Sequence, residues 1–166
     1  MFATVDQWFD QGRELFEFTP STPPDSLEFQ FEMLAYLNQQ IWCYEDFGRS
    51  ADPELVVMGW RGAQRCNQQR NAAINAIDAL LRPLYRPDAE LHSETLGSIA
   101  DRITIQYLKF HNFVRRDPAA AAALRGHIDE LVACGQALLD GIRAGRKRCL
   151  ELPRMKLYFA AEASRA

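Results

Sequence analysis

Breaks that contain proline or glycine divide this chain into four long segments, and the segments carry apolar residues at helical spacing. The segments cover residues 26–49, 53–82, 93–116 and 118–150. In the first segment, Leu27, Phe31 and Leu34 recur every three or four positions, which places them on one face of a helix. Long helices joined by short connections favour antiparallel neighbours. The sequence therefore predicts an all-α fold, an antiparallel four-helix bundle with its core in residues 26–150.

The ends of the predicted helices carry local signals. Asp52 and Asp117 each precede a proline, which is typical of an N-cap followed by the first helical position. Ser93 is the predicted N-cap of the third helix. Residues 1–17 predict a short extra amphipathic helix at the N-terminus. This helix either completes the bundle or contacts a second copy or another protein. We expect residues 1–166 to form a single domain.

Composition supports helices and limits the functional classes. Ala and Leu supply 40 residues, against 18 for Val, Ile and Thr together. No apolar run is long enough to span a membrane, and the acidic N-terminus does not resemble a secretory signal, so we expect a cytoplasmic protein. The first 50 residues hold 9 acidic and 2 basic side chains, which argues against nucleic-acid binding. The four cysteines show no metal or redox spacing and are expected to be buried thiols.

Polar residues occupy helix faces that should point into the bundle. On the second helix Asn67, Asn71 and Asp78 lie within about 40° of one another, with Arg70 beside them. The other inward polar or flanking positions are Asn38, Trp42, Glu45, Asp46 and Arg49 on the first helix and Glu94 and Asp101 on the third. Burying charge costs several kcal/mol per ion unless partners satisfy it. We therefore expect a buried, convergent site; the alternative is a structural ion-pair network or a solvated bundle end.

Three of these segments resemble a known family. They read WCYEDFGR from Trp42, NQQRN from Asn67 and LHSETLGSIADR from Leu91. They are similar to the bacterial family called domain of unknown function 4254. The resemblance implies a helical protein and a residue signature, but no reaction. That signature falls on Trp42, Glu45, Asp46, Arg49, Asn67, Arg70, Asn71, Ser93, Glu94, Gly97, Asp101 and Arg102.

Our leading functional hypothesis is a pocket for a small anionic metabolite that needs no cofactor. Arginine guanidinium groups bind carboxylate or phosphate through paired hydrogen bonds, and asparagine side chains orient hydroxyl or carbonyl groups. The predicted substrate-binding residues are Trp42, Arg49, Asn67, Arg70, Asn71, His92 and Arg102. Glu94, Asp101 and Glu45 are the predicted catalytic carboxylates, which would act as general acid or base in a lyase, isomerase or transferase.

Two alternatives remain open at this stage. Carboxylates from three helices, with Asp46 and Asp78 as further ligands, would suit Mg²⁺ or Mn²⁺ in a hydrolase of nucleotide or sugar phosphates. Alternatively, the polar residues form only a structural network, and the protein is a non-catalytic scaffold that binds a partner or a second copy through residues 1–17.

Overall fold

The computed structural model describes residues 17–114 and 116–150, and helices make up most of this part of the chain. The helices are α1 (Leu27–Phe47), α2 (Pro53–Leu81), α3 (Leu96–Phe113) and α4 (Pro118–Arg143), with a 3₁₀ turn at Arg82–Leu84. The all-α prediction is therefore confirmed in its broad form. The structure adds two short strands, β1 (Glu90–His92) and β2 (Lys147–Cys149).

The helix starts follow the side chains that cap them. The carboxylate of Asp52 accepts a hydrogen bond from the Glu54 amide at 2.9 Å, and that of Asp117 accepts one from the Ala120 amide at 3.0 Å. Both predicted Asp-Pro caps are confirmed. The prediction of Ser93 as the cap of α3 is wrong, because the chain is still bent there and Thr95 takes this role.

The hydrophobic core joins all four helices. It includes Leu34 of α1, Ile77 of α2, Ile103 of α3 and Leu138 of α4, each almost without solvent exposure. α1 packs most extensively against α2, and α3 packs against α4, α1 and α2. Burial of these aliphatic side chains is the main favourable term that holds the helices together.

The two strands form a small parallel sheet, and the second of them replaces the predicted end of the fourth helix. His92 lies beside Cys149 in the register, and the Leu150 amide donates to the His92 carbonyl at 2.9 Å. The fourth helix ends at Arg143 and not at the predicted residue 150, because the chain turns at Gly145 with a φ of 67°. Three-residue strands are too short to show an alternating pattern in a sequence. The sheet ties the end of α4 to the start of α3.

α1 and α2 touch backbone to backbone near the connection between them. A Cβ atom on Gly59 would lie 2.5 Å from the Tyr44 carbonyl oxygen and 2.6 Å from the Gly48 amide nitrogen. Only glycine allows this approach. The end of α1 is therefore held directly against the first turns of α2.

Three further predictions concern the leading helix, the burial of the cysteines and membrane-spanning segments. The leading helix over 1–17 lies outside the described residues except for its last position. Cys43, Cys66 and Cys149 are buried as predicted, whereas Cys134 is exposed, because it lies off the buried face of α4. In the described residues, no helix is long and apolar enough to cross a membrane.

We predict that Gly59→Ala destabilises the protein by about 1–3 kcal/mol, since the added methyl group would collide with backbone atoms that cannot rotate away. Urea unfolding at equilibrium measures this change. The matched control is Gly126→Ala in α4, where an added Cβ meets nothing within 4 Å. The control should gain up to about 1 kcal/mol from better helix propensity. Equal gains in the two variants would contradict the close approach.

Candidate functional site

Asp101 is the most buried charged side chain of the predicted site. It lies on the inner face of α3 and is 6% exposed. The Asn38 side-chain amide of α1 donates to Oδ1 of Asp101 at 3.1 Å and to the Thr104 hydroxyl oxygen at 2.8 Å. The Thr104 hydroxyl donates in turn to the Asp101 carbonyl oxygen at 2.8 Å. These contacts connect α1 to α3 through hydrogen bonds in the interior.

Arg70 of α2 neutralises this carboxylate. Its Nε and Nη2 atoms donate to Oδ1 and Oδ2 of Asp101, each at 2.7 Å. The paired geometry is the strongest form of a guanidinium–carboxylate contact. The remaining terminal nitrogen, Nη1, donates to Oδ1 of Asn67 at 3.1 Å. We refer to Asn38, Asn67, Arg70, Asp101 and Thr104 as the interhelical network.

An open groove of about 230 Å³ lies next to this network, between the end of α1 and the first half of α2. Its walls consist of Tyr44 and Glu45 from α1, Gly48 and Arg49 from the turn that follows it, and Val56, Gly59, Trp60, Ala63, Gln64 and Asn67 from α2. The backbone contact at Gly59 brings the two walls together. Asn67 belongs both to the groove and to the interhelical network, so the two features are physically joined.

The groove combines a cation, a carboxylate and an aromatic surface. The Arg49 side chain is 78% exposed and lies 3.8 Å from Asp46, a distance that gives only a weak surface ion pair. Trp60 is 65% exposed, which is unusual for the largest apolar side chain. Glu45 is exposed on the same wall as Arg49. A molecule in the groove would therefore meet charged and aromatic groups that are still available for binding.

A second group of predicted residues surrounds the start of α3. Glu94 forms an ion pair with Arg102, and both side chains are nearly half exposed. The Nδ1 atom of His92 lies 2.8 Å from the Glu94 carbonyl oxygen, so this histidine braces the bend before the helix. Asp78 of α2 accepts a hydrogen bond from the Gly97 amide at 2.9 Å. These contacts satisfy polar groups at the start of α3.

Burial affects the ionisation of Asp78. Its desolvation raises the pKa of the carboxyl group above the usual value, although the hydrogen bond from Gly97 opposes this shift. Gly97 itself is required at this point, because a Cβ atom there would lie 2.5 Å from the Ile74 carbonyl oxygen. Asp78 therefore accepts a hydrogen bond from the first turn of α3, at a point where α2 and α3 lie close together.

The structure divides the predicted site residues among distinct locations. Arg70, Asp101 and Asn67 come together in the interhelical network, and Glu45, Arg49 and Asn67 line the groove. Glu94, Arg102, His92 and Asp78 lie around the start of α3. Trp42 packs against the hydrophobic core, and Asn71 is partly buried one turn beyond Asn67. The predicted residues thus do not form one convergent pocket.

The candidate metal ligands also have protein contacts. Asp46 lies near Arg49, and Asp78 binds the Gly97 amide. Within the described residues, no three or more His, Cys, Asp or Glu side chains form a group that could hold a metal ion.

Sequence reasoning missed Trp60, Gln64 and Thr104. Trp60 stands between Gly59 and Gly62, and small residues within a helix are a signal for a close helix approach. Thr104 follows Asp101 by three positions, so the two side chains share a helix face.

The buried thiols do not belong to either the groove or the network. Burial raises the pKa of the Cys66 and Cys149 thiols, which favours the protonated, unreactive form. Desolvation likewise raises the pKa of the Tyr85 hydroxyl, which forms a hydrogen bond with Cys149. We therefore assign a structural role to these buried thiols and to the Tyr85 hydroxyl.

Together, the fold and site define a small helical protein with an internal ion-pair network and an open polar groove. The family model described as "Protein of unknown function (DUF4254)" matches residues 31–150. The match covers more than half of the chain, so the protein belongs to this family, and the resemblance of the sequence motifs is confirmed. No curated protein and no solved structure matches the chain.

We predict that Asp101→Ala destabilises the protein by about 3 kcal/mol, because Arg70 and Asn38 lose their shared acceptor inside the helix interface. Urea unfolding at neutral pH measures the change. The comparison variant is Glu94→Gln, which removes one charge from an ion pair that is nearly half exposed. Its expected cost is at most about 1 kcal/mol. Similar costs for both variants would contradict the distinction between the two pairs.

We predict that Asp78→Asn gains stability relative to the parent as the pH rises from about 3.5 to about 7. The raised native pKa means that the folded protein binds this proton more tightly than the unfolded chain does. The parent therefore loses stability as Asp78 ionises, whereas asparagine does not ionise. Urea unfolding across this pH range, with exposed Asp88→Asn as the charge control, tests the sign. A relative loss with rising pH would contradict it.

Proposed function

We propose that the groove between α1 and α2 binds a small anionic molecule that carries phosphate or carboxylate. The observation that carries this proposal is the presence of Arg49, Trp60 and Asn67 around one open cavity. Arg49 supplies a cation that is bound only weakly within the protein. Trp60 supplies a surface for stacking, and Asn67 supplies an amide for hydrogen bonding.

Within this proposal, Glu45 is the carboxylate that acts on the bound molecule. It lies at the end of α1, four residues before Arg49, and both residues line the groove. A carboxylate beside a bound anion can accept or return a proton during an elimination, isomerisation or group transfer. Glu94 and Asp101 are not among the groove residues, and their ion pairs with Arg102 and Arg70 support structural roles instead.

The proposal includes the finer architecture that the sequence predicts, an antiparallel four-helix bundle. Supporting this, Tyr44 near the end of α1 packs against Gly59 and Gly62 in the first half of α2, and Arg70 and Gly97 place α3 beside the second half of α2. In this arrangement the groove lies near one end of the bundle, at the connection of α1 to α2.

A binding screen tests the proposed function. The full-length protein is heated with phosphate, citrate, sugar phosphates, nucleotides and dicarboxylates, each with and without Mg²⁺, and compounds that raise the Tm are titrated by calorimetry. We expect at least one anion to bind, and Arg49→Gln to weaken its binding by about tenfold or more. Trp60→Ala should weaken the binding of the same compound.

The matched control is Arg143→Gln. Arg143 is an exposed arginine at the end of α4 and does not line the groove. Its substitution should leave the affinity within about twofold of the parent value. If no anion binds, or if Arg49→Gln and Arg143→Gln have equal effects, the proposed function is wrong. In the second case the interaction would be a general attraction to positive charge.

A further inference from the structure

The orientation of the Asn67 side chain is determined by Arg70. A guanidinium group only donates hydrogen bonds, so the Asn67 atom that faces Arg70 must be the carbonyl oxygen Oδ1. The reverse orientation would place an NH₂ group against another donor. The Nδ2 atom therefore points away from Arg70, and no described residue accepts a hydrogen bond from it.

Arg70 is itself held in place from the protein interior. Two of its nitrogen atoms bind the Asp101 carboxylate at 2.7 Å, and Asn38 binds the same carboxylate from α1. The guanidinium plane is thus fixed by contacts on its inner side. Its one remaining contact in the network, through Nη1, reaches the residue that lines the groove.

We propose that Arg70 and Asp101 are positioning residues that hold Asn67 as a hydrogen-bond donor toward the groove. The group recognised at Asn67 is then an acceptor, an oxygen atom of a phosphate, carboxylate or carbonyl group. This inference rests on the proposed function, because it concerns the same groove. It makes Asn67 a determinant of specificity and separates its role from that of Arg49, which supplies charge.

The test uses Asn67→Asp in the full-length protein. Aspartate has nearly the same shape and still accepts from Arg70, but it offers the groove an oxygen atom instead of NH₂. The matched control is Gln69→Glu, which adds the same charge at an exposed position two residues further along α2, outside the groove lining. Inorganic phosphate and citrate serve as probes, and their binding is followed by calorimetry and by the side-chain amide signals of ¹⁵N-labelled protein.

We expect both probes to shift the NH₂ signals of Asn67 in the parent. The affinity of Asn67→Asp should fall by about tenfold or more, and that of Gln69→Glu by about twofold or less. Arg70→Lys keeps the positive charge but loses the planar pair of donors. Well below its Tm, this variant should show displaced Asn67 NH₂ signals and weaker binding of both probes, which a purely stabilising role of Arg70 would not produce.

The outcomes separate the two proposals. If the probes bind and depend on Arg49 but Asn67→Asp binds as well as the parent, the donor role of Asn67 is overturned and the proposed function stands. Unchanged Asn67 signals in Arg70→Lys would overturn the positioning role. If neither probe binds the parent, the proposed function fails for these anions and the recognition of an acceptor at Asn67 fails with it.

Discussion

The contact between Arg70 and the Asp101 carboxylate is the interaction on which the arrangement of three helices depends. A buried carboxylate is costly unless hydrogen bonds and an opposite charge replace its water. Here the replacement comes from two other helices, through Arg70 of α2 and Asn38 of α1. These contacts require α1, α2 and α3 to keep a fixed spacing and register at this level. Apolar packing alone tolerates small shifts, whereas hydrogen bonds of 2.7–3.1 Å do not.

The groove is a consequence of this arrangement and of the close approach at Gly59. Gly59 lets the end of α1 lie against α2, and the interhelical network fixes Asn67 at the inner end of the cavity. Most of the wall residues therefore belong to α1 and α2, and Gly48 and Arg49 lie in the turn directly after α1. Placement on helices favours precise positioning of the groups that line the groove. The exposed Arg49 and Trp60 gain nothing from the hydrophobic core, and their place beside this cavity supports the proposed binding of an anion.

The features that the sequence predicts well are those with local causes. Asp52 and Asp117 mark helix starts because capping depends on neighbours two or three residues away. The helical wheel also identifies Asp101 and Arg70, since periodicity gives the direction of a side chain. It gives neither depth nor the exact ends of a helix, so Glu45 points from a suitable face yet reaches solvent, and Arg49 and Glu94 lie just outside α1 and α3. The pairing of β1 with β2 depends on contacts between distant residues, which no local pattern specifies.

The most direct test of this account is the coupling free energy between Arg70 and Asp101 in unfolding. Urea titration of Arg70→Met, Asp101→Leu and the double variant provides it. We predict that each single variant loses about 3 kcal/mol, because each leaves a partly buried charge without its partner. The double variant should be no less stable than either single one, which gives a coupling of about 3 kcal/mol. Additive losses would show that the two side chains act independently and would contradict an interhelical network organised around Asp101.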